Sequence, residues 1–260
     1  MPEFKKNKKM KNKLILIGAG PGATDLITLR AIERLQKAKV ILYDALVNEK
    51  LLDFAPQDAL KIYVGKRGGK PSFTQEKINQ LIVSYALVYG EVIRLKGGDP
   101  FIFGRGLEEI FFAKKHGIEA EVIPGISSAT GLTALNQISL THRGIADGFW
   151  VLTASKKGNE FNRDLELAAQ SNSTVVILMG IGKLKEIAQA YLSEGRKDTP
   201  VLIIQNGSTV DEKILVADMG SIVYRALEEK IESPAIIVIG EVVEAYQQVE
   251  NTEAVLSYLN

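Results

Sequence analysis

Cysteine is absent from all 260 residues. Disulfides, zinc knuckles, iron–sulfur ligation and thiol catalysis are therefore excluded. Histidine is almost absent. His116 and His142 are the only two, too few for a histidine-built metal site, and no metal is expected. No apolar run approaches the length of a membrane-spanning helix, so no membrane partner is expected. Neither charge dominates, with 32 Lys and Arg against 31 Asp and Glu. The local excess is in MPEFKKNKKMKNK, residues 1–13, where six lysines face one glutamate and leave about −4 for the remainder. A body of that charge argues against a general nucleic-acid binder. The opening stretch also lacks the apolar segment of a signal peptide. It reads as a solvated tail, and the expected location is cytoplasmic.

What the chain does have is a regular alternation of short apolar runs and helical periodicity. LILIG (14–18), KVILYD (39–44), KIYVG (61–65), EVIRL (91–95) and EAEVIP (119–124) read as strands. From Asp25 to Ala38, Leu26, Leu29, Ile32 (or Ala31) and Leu35 recur at helical spacing. Ser72 and Gln75 form a capping-box pattern before a helix whose apolar face is Ile78, Leu81, Ile82 and Tyr85. Residues 124–144 are rich in small and hydroxyl side chains and read as a helix and loop joining two halves. FWVLTA (149–154), TVVILM (174–179), PVLIIQ (200–205), KILVA (213–217) and PAIIVIG (234–240) follow, with helical segments between most of them. There is no fixed-period repeat. The expected layout is a tail (1–13), an N-terminal α/β domain (14–126), a bridging helix and loop (127–148), a C-terminal α/β domain (149–247) and a tail (248–260). The fold class is α/β, with mixed, largely parallel sheets. In such sheets ligands bind beyond the C-terminal ends of strands.

Several glycine-rich segments stand at those ends. GAGPGA (18–23) matches G-x-G-x-x-G/A, with Asp44 lying 21 residues beyond Ala23 at the end of the second strand. That spacing is the dinucleotide pattern, in which the acid meets a ribose hydroxyl. Pro21 speaks against it, because it removes a backbone N–H from the turn. LKGGDPFIFGRG (95–106) is a second such segment, with Gly97 and Gly98 able to bring backbone close to a ligand. VGKRGG (64–69) puts two cations among glycines, and LTHR (140–143) sets an imidazole beside a guanidinium. His116, before Gly117, reads as the end of a helix with no role in a site.

Taken together, VIRLKGGDPFIFGRG, GAGPG, YDALV, VGKRGGK and PGISSATG…ISLTHR resemble the tetrapyrrole methylase family, specifically its branch acting on uroporphyrinogen III. The resemblance runs from about Leu14 to Val243. It implies two α/β domains with S-adenosyl-L-methionine in the cleft between them, S-adenosyl-L-homocysteine as by-product, and a homodimer. The implied activity is methylation of uroporphyrinogen III at C2 and C7, giving precorrin-2 for sirohaem or cobalamin. By the same resemblance Asp44 is the proton acceptor and Lys66 the proton donor. Pro21, Gly97, Gly98, Asp99, Ile102, Ser127, Ser128, Met179 and Gly207 line the cofactor. Arg105 and Arg143 meet substrate carboxylates. Some relatives fuse this domain to dehydrogenase and ferrochelatase modules, for which no spare length is expected here.

Three segments depart from the family's usual pattern. Ala23 replaces an aspartate, QISLTHR replaces GIPLTHR, and LTAS (152–155) replaces VTGH. Three other readings stay open: a methyltransferase for a later corrin intermediate, an NAD-dependent oxidoreductase using GAGPGA and Asp44, and a tetrapyrrole binder without turnover.

Overall fold

The computed structural model describes residues 12–65, 73–156, 158 and 160–246. Two compact units divide between Ser127 and Ser128. The first carries β1 (Lys13–Gly18), α1 (Leu29–Leu35), β2 (Val40–Tyr43), β3 (Leu60–Tyr63), α2 (Gln75–Tyr89), β4 (Glu91–Lys96), α3 (Gly106–Lys115) and β5 (Glu119–Ile123). Its five strands lie in the order β3-β2-β4-β1-β5, and every pairing is parallel. All five C-terminal ends therefore reach one edge.

Alternation within β1 explains the layering. Ile15 and Ile17 pack with Ala31 and Leu35 of α1, while Leu14 and Leu16 pack with α2 and α3 on the other face. A helix as short as α1 is unstable alone in water. Burial of Ala31 and Leu35 fixes it, each large aliphatic side chain contributing about 1.5–3 kcal/mol. The predicted helix from Asp25 is interrupted. Thr24–Leu26 forms a 3₁₀ turn, and Thr28 then caps α1 by accepting from the Ala31 N–H. This new start turns Leu29 outward, 79% exposed, while Ile27 moves into the core. The α2 cap is likewise Thr74, accepting from the Lys77 N–H. Ser72 lies outside the described residues.

The second unit carries α4 (Ser128–Leu135), β6 (Phe149–Thr153), α5 (Asp164–Gln170), β7 (Thr174–Leu178), α6 (Leu184–Ser193), β8 (Pro200–Gln205), β9 (Lys213–Asp218), α7 (Ile222–Glu228) and β10 (Ala235–Ile239). Its sheet order is β6-β7-β10-β8-β9. Only β6 and β7 pair in parallel, and the other three pairings are antiparallel. The two sheets together are mixed and largely parallel. Strands β6, β7 and β8 still run the same way, so their C-terminal ends share an edge. Helices α5, α6 and α7 cover one face, and Ala129 and Leu132 of α4 pack on the other.

Beyond α4, Gln137 is exposed with a φ of 55°. This is the left-handed position after a helix C-cap, where glycine is favoured. A side chain in this conformation costs about 1–2 kcal/mol, part of which glycine loses again through unfolded-state entropy. Gln137→Gly is expected to stabilise the protein by about 0.5–1 kcal/mol in a urea melt. A less stable variant would show that the Gln137 side chain makes a contact worth more than the strain.

Candidate active site

At the C-terminal edge of the first sheet, the loops after β1, β4 and β5 meet. Gly20 and Gly98 exchange backbone hydrogen bonds, Gly98 N to Gly20 O at 2.7 Å and Gly20 N to Gly98 O at 3.3 Å. A Cβ on Gly18 would fall 2.5 Å from Gly125 Cα and 2.7 Å from Gly98 O. One on Gly125 would fall 2.3 Å from Gly98 O. What these glycines admit is one another's backbone. Asp99 fastens the junction, since Oδ1 accepts from Phe101 N at 2.7 Å and Oδ2 from Gly125 N at 3.0 Å. Its carboxylate keeps further lone pairs for a ligand. Pro21 is half-buried in the first loop, whose Gly22 carbonyl accepts from Asn48 Nδ2 at 2.9 Å.

The loop from Asp99 to Gly106 folds back on Pro100. Gly106 N donates to Pro100 O at 3.0 Å, and a Cβ on Gly104 would fall 2.5 Å from that oxygen. Phe103 and Arg105 take left-handed φ values of 52° and 60°. Phe101, Ile102 and Phe103 are exposed. Exposed apolar side chains beside polar backbone suit a ligand with a nucleoside and a charged tail. Arg105 is exposed and pairs with Glu108. That hydrogen bond holds the guanidinium above the ordinary arginine value.

Asp44 stands one residue past β2. Its loop is gripped by two more glycines. A Cβ on Gly65 would lie 2.3 Å from Ala45 N, and one on Gly97 2.7 Å from Leu46 Cβ. The Asp44 side chain is 27% exposed and ion-paired to Arg94 through Oδ1, with Lys96 Nζ 3.8 Å from Oδ2. Arg94 is 1% exposed and Glu109 of α3 is fully buried. Arg94 Nε and Lys96 Nζ reach Glu109 Oε1 at 3.2 and 3.0 Å, and Gln75 Nε2 reaches it at 3.1 Å. Burial, then the Arg94 cation, pushes the Lys96 ammonium below the ordinary lysine value, against the pull of Glu109 and Asp44. Lys66, next after Gly65, lies outside the described residues.

Sequence reasoning missed Arg94, Lys96 and Glu109. The signal was there in EVIRLK, with cations at alternate positions of a strand that a parallel sheet buries on both faces. Buried charges are rare unless paired, so they mark a network.

In the second unit, Met179 follows β7, is 60% exposed and has a φ of 56°. Asn206 and Ser208 follow β8 with φ values of 51° and 59°. Gly207, between them, packs on α4, where a Cβ would fall 2.4 Å from Leu132 Cδ1. Seven described non-glycine residues have positive φ. Gln137 and Lys230 follow helix ends, and the other five stand at these two strand edges. Such strain gathers at functional sites. Ser127 ends the first unit, and Ser128 opens α4. Arg143 is exposed in the turn closed by His142 and Ala146, and its carbonyl lies 3.0 Å from His142 Nδ1. His116 closes α3 before Gly117.

Among the described residues no three His, Asp or Glu side chains are placed to hold a metal, and no helix is long and apolar enough to cross a membrane. An open groove of about 580 Å³, lined by Lys13, Lys114, Glu119 and Glu121 among others, lies where β1 and β5 begin. That is the opposite edge from the glycine loops. In a parallel sheet the ligand belongs at the C-terminal edge.

Residues 13–223 match the family described as Tetrapyrrole (Corrin/Porphyrin) Methylases. The chain belongs to the tetrapyrrole methylase family. One relative, the uroporphyrinogen-III C-methyltransferase of Methanocaldococcus jannaschii, is 44% identical over 90% of this chain and 98% of its own length. The siroheme synthase of Actinobacillus pleuropneumoniae serotype 7 is 43% identical over 93% of this chain, which spans only 49% of that protein. A solved uroporphyrin-III C-methyl transferase from Thermus thermophilus, complexed with S-adenyl homocysteine, is 40% identical. It covers 90% of this chain and 99% of its own, with a TM-score of 0.76. Ala23 is the N-cap of the Thr24–Leu26 turn, and no side-chain hydrogen bond caps it. An aspartate there would be a favoured cap, so its absence bears first on the local turn. Ala154 of LTAS is fully buried in the second core.

Proposed function

We propose that this chain transfers methyl groups from S-adenosylmethionine to C2 and C7 of uroporphyrinogen III, giving precorrin-2 for sirohaem or cobalamin. The observation that carries the reading is the Thermus thermophilus relative, similar over 90% of the chain and solved with S-adenyl homocysteine. S-adenosylmethionine supplies a methyl on a sulfonium, which needs no further activation. The protein's part is then to orient, to exclude water and to manage a proton. Orientation alone contributes on the order of 7–11 kcal/mol when the geometry is near attack.

In this reading Pro21, Gly97, Gly98, Asp99, Ile102, Ser127 and Ser128 hold the methyl donor, together with Met179 and Gly207. The loops fit that task through exposed apolar side chains and polar main chain at one strand edge. Asp44 accepts the proton that the alkylated macrocycle releases, and Lys66 donates one. Arg105 and Arg143 meet carboxylates of the substrate through charge-assisted hydrogen bonds. The reading extends to a homodimer working in the cytoplasm, without nucleic acid or membrane as partner.

The test is anaerobic transfer of labelled methyl to uroporphyrinogen III, counting methyls per macrocycle. Two are expected. None, with the donor still bound, would move the reading to a later corrin substrate or to a binder without turnover. S-adenosylhomocysteine at 100 times its Kd should add about 2.7 kcal/mol of stability, while NAD should leave the melting temperature unchanged. The reverse pattern would favour the oxidoreductase.

A further inference from the structure

The reading of Asp44 as proton acceptor leaves open what fixes its carboxylate. Apolar side chains of similar volume often replace a buried ion network at no loss of stability, which makes a role beyond stability for the charges beneath it worth testing. Four groups surround the Arg94 guanidinium. Nε donates to Glu109 Oε1 at 3.2 Å, and Nη1 donates to Leu42 O at 3.4 Å and Leu95 O at 3.2 Å. Nη2 donates to Asp44 Oδ1. The planar fork is thus fixed by two strands and a helix before it reaches the acid. Glu109 is itself held by Lys96 and by Gln75 of α2. Asp44 Oδ1 is occupied, and Oδ2 stands 3.8 Å from Lys96 Nζ, beyond hydrogen-bond reach.

We propose that Arg94 is the positioning residue for Asp44. Locked by Glu109 and the Leu42 and Leu95 carbonyls, it binds Oδ1 and leaves Oδ2 as the atom that takes the proton. Lys96 and Glu109 belong to the same device, since they fix the guanidinium. The inference rests on Asp44 being the acceptor.

The experiment is a double-mutant cycle. Wild type, Arg94→Met, Asp44→Asn and the double variant are compared in kcat and KM for uroporphyrinogen III, in S-adenosylhomocysteine affinity and in melting temperature. Arg94→Met leaves Glu109 paired with Lys96, so no buried carboxylate loses its last cation. We expect it to lower kcat about 10²-fold, the usual result of a misplacement near 1 Å. KM and S-adenosylhomocysteine affinity should stay within about threefold. In the Asp44→Asn background the same change should cost under about threefold more, because residues acting as a unit are not additive. Losses that multiply, or a loss confined to KM, would show that Arg94 acts on substrate by itself and would overturn the inference. So would an Arg94→Met enzyme within threefold of wild type. If Asp44→Asn alone keeps its turnover, the acceptor reading fails first, and that is visible without Arg94. Should Arg94→Met not fold, Arg94→Lys serves. It keeps the charge but cannot span all four partners, and about a tenfold loss in kcat is expected. Wild-type kcat in Arg94→Lys would rule out positioning by the fork.

Discussion

Replacing Asp44 by asparagine is expected to lower methyl transfer by about 10²–10⁴-fold while S-adenosylhomocysteine still binds. The two side chains have nearly the same shape, so the loop between Gly65 and Gly97 need not move. The amide oxygen can still accept from Arg94, but the group no longer takes a proton. The affinity for S-adenosylhomocysteine, read by calorimetry, should change less than about twofold, because the glycine loops of β1, β4 and β5 are untouched. A variant that turns over at the wild-type rate would remove Asp44 from the acceptor role. Loss of both turnover and S-adenosylhomocysteine binding would make its role one of cofactor binding, as a ribose-binding acid would be.

Gly125→Ala should have the largest effect on the fold of the site. The added Cβ would lie 2.3 Å from Gly98 O and 2.7 Å from Gly18 Cα, and those are backbone atoms at the ends of two central strands. Neither can swing aside as a side-chain tip could. Overpacking of this kind costs about 1–3 kcal/mol, and this case belongs at the upper end. The melting temperature should fall by roughly 6–10 °C. The Asp99 bond to the Gly125 N–H would be pulled apart with it, so S-adenosylhomocysteine should bind at least about tenfold more weakly. Gly182→Ala is the control, since its Cβ would meet nothing within 4 Å. Equal behaviour of the two variants would mean that the three loops tolerate separation and that their contact does not shape the site.

The strand ends and their glycines were legible from sequence, because a buried parallel strand is a short apolar run and a turn needing close approach admits little but glycine. The partners of those glycines were not. Gly97 and Gly98 read as room for a ligand; that a Cβ on Gly97 would also meet Leu46, and one on Gly18 or Gly125 the Gly98 carbonyl, was not readable. Contact between segments far apart in sequence leaves no local trace. Leu29 was placed on the inner face because its spacing fits a continuous helix, but capping by Thr28 resets the turn. The antiparallel half of the second sheet had a readable sign. Only residues 206–212 separate β8 from β9, too few for a helical crossover. Arg94 and Lys96 were visible as letters, yet only the burial of β4 between β1 and β2 turns two ordinary cations into a network.

The pairing of β1 has a consequence for how the protein comes into being. This strand finds its partners only in β4 and β5, with Lys13 opposite Glu91 and Glu119. During synthesis it stays without one strand neighbour until Lys96 has been made, and without the other until Ile123 has. Pairings so distant in sequence are slow to form and leave strands exposed to aggregation meanwhile. The β8–β9 hairpin, with Gln205 opposite Lys213, closes as soon as it is made. The half of the molecule that holds Asp44 and its buried cations is therefore the half whose assembly gains most from a chaperone at the ribosome.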